Sequence, residues 1–448
     1  MSLRKSTIYQ SYFYFLISLL VIFNGGNSDL FTQLNFVLVS LFFLWCLQDT
    51  NYKAHIKKFY FNNKQLITLY LFFLFYLFFQ ITPLPIDFLK IFSPTKYNLL
   101  MNLNFENYFS PISFDIGKSF FSILNYCSLI LYLIIFKSIF YKERHVNNFY
   151  FFLTFLSFIS SIVAVYFYLI NNPDFLFISN HNYKNASTGF FINRTVFACF
   201  LNLGFLAGIE CLKHIDLNSK RKDYFFQKIY LRLFLLFITI GIITSFSRLG
   251  NFLFLFLIIF YLFNFYKNKD HKNRFIFYSL IVIILFDIFV LGFYFGGNQL
   301  LERFTFLKSE LLIYTNDNNQ NLTLSRGDLA KFSLFQLNDF LFFGYGAGNF
   351  ETIFKIFFNQ LDSTFANHAH FDLAEFIGEF GMVGIFILML LVIRILKKIT
   401  LISIKNIYLI FFIIFILFFD FSFHIFLIQL IFSLLLSVYI KVPQKKIF

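Results

Sequence analysis

The sequence predicts an all-α polytopic membrane protein with about twelve transmembrane helices, and three observations carry that reading. Hydrophobic residues make up 58% of the 448-residue chain and charged residues only 13%, a balance foreign to water-soluble domains. The apolar residues gather into runs approaching the ~20 that a helix needs to cross ~30 Å of hydrocarbon. The basic residues, whose excess gives a formal charge of +14, cluster on one side of those runs.

Twelve runs read as spans, at about 9–24, 34–48, 66–82, 119–140, 149–171, 196–212, 231–247, 251–266, 275–297, 372–395, 406–419 and 423–440. The first follows Arg4 and Lys5 with no small-residue cleavage site behind it, so it reads as a retained span rather than a signal peptide. Alternating the loops across the membrane places about 26 of the 37 basic residues on one side, among them Lys53, Lys57, Lys58, the run Lys220 to Lys222, and Arg394 to Lys398. The positive-inside rule makes that side cytoplasmic, together with both termini. Basicity is then a matter of orientation, and no nucleic-acid partner is implied. Cys46, Cys127, Cys199 and Cys211 all fall in or beside apolar runs, which implies neither a disulfide framework nor a zinc site.

Three regions follow: an N-terminal bundle of about nine spans over 1–297, a long outer loop over 298–371, and closing spans over 372–448. Within the loop, Leu300, Phe304, Leu307 and Leu311 form one helical stripe, and Phe350, Ile353, Phe354, Phe357 and Leu361 form another. Helices with one apolar face should lie on the bilayer or cap the spans. Asn316 to Asn321 reads as a polar tip between them.

The same topology sends Arg194, Arg248, Arg326 and His370 to the outer side, from loops far apart in sequence. Charges at membrane depth cost a few kcal/mol unless paired or hydrated, so cations kept at span ends invite an anionic partner. A lipid diphosphate suits them, because the planar arginine fork grips phosphate oxygens bidentately. Bland readings stand beside this one. An interfacial arginine such as Arg194 is often only an anchor, and a lone histidine at a span end is more often a structural hydrogen-bonder than a catalyst.

Motifs decide between these readings. Residues 366–384 read Ala-Asn-His-Ala-His-Phe-Asp-Leu-Ala-Glu-Phe-Ile-Gly-Glu-Phe-Gly-Met-Val-Gly, with Gly381 eleven positions after His370 and Gly384 three later. Further blocks are Gly189-Phe-Phe-Ile-Asn-Arg-Thr-Val-Phe-Ala198, Ser245-Phe-Ser-Arg-Leu-Gly250, Leu324-Ser-Arg-Gly-Asp328 ahead of Gly344-Tyr-Gly-Ala-Gly348, and Asp420-Phe-Ser-Phe-His-Ile425. Gln80 to Pro85, followed by Ser93-Pro94, resembles the first long outer loop of the same group. In order and sidedness these blocks resemble the O-antigen ligase and polymerase superfamily. Thr195 stands where Asn is usual, and Phe371 where Asn, Ser or Gln is usual. No strand–helix unit precedes the glycine block, so it is not a dinucleotide fingerprint.

The resemblance implies a membrane glycosyltransferase of GT-C-like fold in the bacterial inner membrane, its helical cap and active site facing the periplasm. Such an enzyme moves a glycan from a polyprenyl (undecaprenyl) diphosphate carrier to an acceptor hydroxyl on a lipid A–core glycolipid, a growing glycan or a protein. It implies His370, Arg326 and Arg248 as catalytic residues, and Arg194, His368, Glu379 and Asp420 as substrate contacts, with His368 the fallback for His370. No His-x-x-x-His or Asp-x-Asp stands on the outer side, so neither metal nor cofactor is expected. Ligation is the first expectation, with repeat-unit polymerisation or protein O-glycosylation as alternatives. A lipid-saccharide transporter is a further alternative, supported by Asp287, since a carboxylate within an apolar run can mark a proton or ion route.

Overall fold

In hydrocarbon no water is available to backbone N–H and C=O groups, and a helix satisfies both within itself. The chain takes that solution nearly everywhere. The structure, a computed structural model, describes residues 2–103, 109–174, 184–217, 224–268, 278, 281–282, 326–358, 366–398 and 403–438. The Leu300–Leu311 stripe, the Asn316–Asn321 tip, Leu361 and Asp287 lie outside them, as does the expected span at 275–297 apart from residues 278, 281 and 282.

Eight helices among the described residues are long and apolar enough to cross a membrane. They are α2 (Asp29–Gln48), α4 (Lys64–Ile81), α7 (Ile116–Ile139), α8 (Glu143–Leu169), α9 (Arg194–Leu217), α10 (Tyr224–Thr244), α11 (Arg248–Asn268) and α14 (Asp372–Lys398). Three shorter apolar helices accompany them: the apolar part of α1 (Ser2–Ile22), α15 (Ile404–Phe419) and α16 (Phe426–Ser437). The protein is thus a multi-pass helical membrane protein.

α9 is its axis, buried from Thr195 to Leu212 and packed by α8, α10, α11 and α16. Lipid gives helices little hydrophobic reason to associate, so small residues supply close packing instead. A Cβ at Gly204 would meet Ser157 Oγ of α8 at 1.9 Å, and one at Gly250 of α11 would meet Ala198 Cβ of α9 at 2.3 Å. Asn202 of α9 ties the second contact by donating to the carbonyl of Gly250 at 3.0 Å.

A second cluster joins α4 to α14 through Phe73, Tyr76, Phe376 and Phe380. A third lies in the cap, where α13 (Phe350–Phe357) packs Phe350, Ile353 and Phe354 against Leu329, Phe332 and Phe340 of α12 (Arg326–Phe340). The described part of the aromatic stripe read at 350–361 thus packs onto a neighbouring helix. Asn349 pins this cap to the start of α7 by donating to Ser113 Oγ and Ser119 Oγ, each at 2.9 Å.

Three helices lie where the sequence reading placed loops: α3 (Thr50–Asn62), α5 (Ile86–Phe92) and α6 (Pro94–Asn102). Pro94 opens α6, a position where its missing N–H costs nothing. A two-residue antiparallel pairing, Leu84 with Ser110 and Pro85 with Phe109, closes the cap's edge.

Candidate active site

α14 is broken near its start. Gly381 adopts φ 62°, ψ 177° inside it, a conformation open to residues without a Cβ. A break strands carbonyls, and buried carbonyls need donors. Tyr76 Oη of α4 donates to the carbonyl of Phe380 at 2.7 Å, and Gln80 Nε2 to that of Glu379 at 2.9 Å. The backbone amides of Tyr345 and Gly346 bond the carbonyls of Gly378 and Glu379. A Cβ at Gly344 would lie 2.3 Å from the carbonyl oxygen of Glu379. The glycine block at 344–348 is thus the close-fitting partner of the break, which gives the spacing of both motifs a physical cause.

Above the break, the loop at 366–371 meets the turn between α15 and α16. His370 sits in the left-handed region at φ 55°, an uncommon conformation outside glycine that costs on the order of 1–3 kcal/mol and persists where the surroundings impose it. Its Nδ1 lies 3.4 Å from Oδ1 of Asp420, a carboxylate buried completely. The backbone amide of Asp372 donates to the carbonyl of Asp420 at 3.1 Å, and Ser422 Oγ donates to Oδ2 at 2.8 Å. Burial alone would raise the Asp420 carboxyl. The bond to His370, the Arg326 charge, the His370 charge and the Ser422 hydroxyl outweigh it and hold the group below the usual carboxylate range. Asp420 is therefore a fixed anion at neutral pH. Since a carboxylate only accepts, it draws the imidazole proton to Nδ1 and leaves Nε2 of His370 as a base.

Beside this pair lies a second group that the sequence reading did not assemble. Asp372, Glu375 and Glu379 are all buried on the first turns of α14. His424 Nδ1 is hydrogen-bonded to Asp372 Oδ1, while its Nε2 faces Glu375 Oε1 and Glu379 Oε2, each at 3.6 Å. His368 Nδ1 lies 2.8 Å from Glu375 Oε1, and the backbone amide of Ala369 donates to Oε2 at 2.7 Å. Phe421 links the two groups: His368 stacks on its ring at 4.6 Å and His370 meets it edge-on at 4.7 Å.

The arginines begin helices that reach the same end of the bundle. Asn193 caps α9, accepting from the amides of Thr195 and Val196, so Arg194 is its first residue. Ser247 caps α11, its hydroxyl accepting from the amide of Gly250 at 3.2 Å, so Arg248 is the first residue there. Arg326 opens α12. The Ala198–Gly250 contact holds the first two helices together near their starts. α9 also packs on the turn formed by Ser422–His424.

A family model described as O-antigen ligase matches residues 233–389, from α10 through α14. Residues 233–389 are thus similar to the O-antigen ligase family. No curated protein matches the chain. The matched stretch contains Arg248, Arg326, His368, His370 and Glu379 of the expected site, while Arg194 and Asp420 lie outside it.

Of the expected residues, the structure pairs His370 with Asp420, brings the Arg326 charge within electrostatic reach of that carboxylate, and ties His368 and Glu379 to the His424 network. It places Arg194 and Arg248 at the same end, each as the first residue of its helix. Sequence reasoning passed over His424, Asp372 and Glu375 as site members. Their signals were present: His424 stands in the Asp420 to Ile425 block, and the two carboxylates fall one helical turn apart in an apolar run.

Proposed function

We propose that the protein transfers a glycan from a polyprenyl diphosphate carrier to an acceptor hydroxyl at the periplasmic face of the inner membrane, as an O-antigen ligase-type enzyme of GT-C-like fold. The observation that carries this reading is His370, held in left-handed backbone beside the buried Asp420 carboxylate, with Arg326 close enough to stabilise that charge. The periplasmic orientation, with both termini in the cytoplasm, rests on the distribution of basic residues.

His370 Nε2 takes the proton of the acceptor hydroxyl as its oxygen bonds to the anomeric carbon. The bond from that carbon to the diphosphate breaks, and the electron pair leaves on the phosphate oxygen. Arg248 and Arg326 stabilise the charge where it develops, the largest contribution open to a site of this kind. Arg194 holds the outer phosphate or the first sugar. Asp420 keeps the imidazole in its working tautomer, and no step requires a metal.

Gene disruption followed by glycolipid analysis tests the reading. Loss of capped lipid with full-length carrier-linked glycan accumulating identifies a ligase. Products holding a single repeat unit identify a polymerase, and an unglycosylated protein with unchanged lipids identifies a protein acceptor. Unchanged glycans in every class would overturn glycan transfer altogether.

A further inference from the structure

We propose that His368, Glu375 and His424, with Glu379 as the fourth ligand, hold a divalent transition-metal ion of the zinc class. One ligand atom from each of the first three lies within 4.8 Å of the others. In a tetrahedral site with bonds of about 2.0–2.2 Å, neighbouring ligand atoms stand roughly 3.3–3.6 Å apart. His424 Nε2 lies 3.6 Å from Glu375 Oε1 and 3.6 Å from Glu379 Oε2. That separation is long for a hydrogen bond and right for two ligands sharing an ion.

Two buried atoms point the same way. His424 Nε2 and Glu379 Oε1 make no hydrogen bond, although both residues are almost fully enclosed. An unsatisfied buried polar atom is costly; an ion held between His424 Nε2 and the Glu379 carboxylate would answer the imidazole nitrogen directly and the carboxylate as a whole. The outer side of His424 supports the assignment. A metal-bound histidine almost always gives its other ring N–H to a carboxylate, and Asp372 occupies that place on Nδ1. Two imidazole nitrogens and two carboxylate oxygens match zinc better than calcium or magnesium, which take oxygen ligands.

The ion would tie the 366–371 loop, the acidic start of α14 and the Ser422–His424 turn to one point, across the Phe421 ring from His370. It touches none of the atoms assigned to proton transfer, so its role is to hold the neighbouring site rigid. His368 and Glu379 then serve as ligands rather than as substrate contacts.

The test uses the full-length protein in detergent, purified through an affinity tag without histidines, and measures its metal content by mass spectrometry. About one zinc-class ion per chain is expected. Cobalt added after chelation should give the visible absorption of a tetrahedral site, and zinc should raise the thermal midpoint of the chelated protein. His424→Ala should abolish the cobalt spectrum, and Asp372→Asn should weaken zinc affinity about 10–100-fold while preserving the stoichiometry. His370→Ala should keep the ion, which separates this test from that of transfer. If chelated wild type takes up neither zinc nor cobalt and shows no thermal shift, the group is a proton-sharing network and the metal site is wrong. That result needs no variant, so misfolding of His424→Ala cannot mask it.

Discussion

Two groups of buried charged side chains sit at opposite ends of the bundle, and they are built on different terms. At one end, Glu210 Oε1 accepts from Lys213 Nζ at 2.7 Å and from Tyr261 Oη at 2.6 Å. Lys405 nearby donates to Tyr150 Oη and to the carbonyl of Leu435. Each of these charges has a strong partner within reach. At the other end, His424 and Glu379 keep buried atoms without a hydrogen bond, and His370 holds a costly backbone conformation. At the first end the buried charges are paired with one another or with hydrogen-bonding neighbours. At the second end, unbonded buried atoms coincide with a strained backbone at His370.

Breaking each end in turn sharpens the contrast. The largest effect should come from His370→Ala, which removes the proposed base and should lower the rate of transfer about 10²–10⁴-fold. Binding of the carrier-linked donor, measured separately, should survive, because the arginines remain. A variant that loses donor affinity while its saturated rate is unchanged would recast His370 as a phosphate contact. One that stays fully active, with the loss appearing only in His368→Ala, would move the base to the other imidazole.

Next comes Glu210→Leu, at the paired end. Removing one partner of a buried ion pair costs about 3–5 kcal/mol, so thermal unfolding in detergent should shift downward markedly. Transfer per folded molecule should stay near wild type. A selective loss of transfer at unchanged stability would erase the distinction between the two ends.

Smallest in size are Arg326→Lys and Arg248→Lys, which keep the charge and lose the fork. A charge-assisted bond is worth roughly 1.5–3 kcal/mol, or about one to two orders of magnitude in rate if it acts only in the transition state. Membrane insertion should be unchanged. Wild-type rates in both variants would remove the diphosphate clamp.

Much of this architecture was legible in the chain because hydrocarbon imposes a coarse grammar. Eleven of the twelve expected spans correspond to helices α1, α2, α4, α7 to α11 and α14 to α16. The helices α3, α5 and α6 were not legible, since short amphipathic segments between spans carry too few turns for periodicity to stand out. Nor was the break in α14. Gly381 sits in an apolar run like any small residue of a span, and its cause lies in Gly344, Tyr76 and Gln80, all distant in sequence.

The site divides the same way. His370 and Asp420 were singled out from motif spacing, and the structure sets them 3.4 Å apart. The His368–Glu375–His424 group was not, because metal-like spacing is sought within a few residues and His424 arrives from a different span. Charge patterns reveal which side a residue faces. They do not reveal which partner it meets there.

The order in which the chain is made adds a consequence. Tyr76 and Gln80 leave the ribosome early and must wait for the helix whose stranded carbonyls they satisfy. Asp420, Ser422 and His424 are among the last residues of the described chain to be synthesised, yet the carboxylates of Asp372, Glu375 and Glu379 have no histidine from α14 itself to answer them. Until α15 and α16 insert, Asp372 and Glu379 lack His424, while Glu375 already has His368 and the amide of Ala369. The site therefore comes into being only once α15 and α16 are in place, and a chain stalled before them would expose the acidic start of α14.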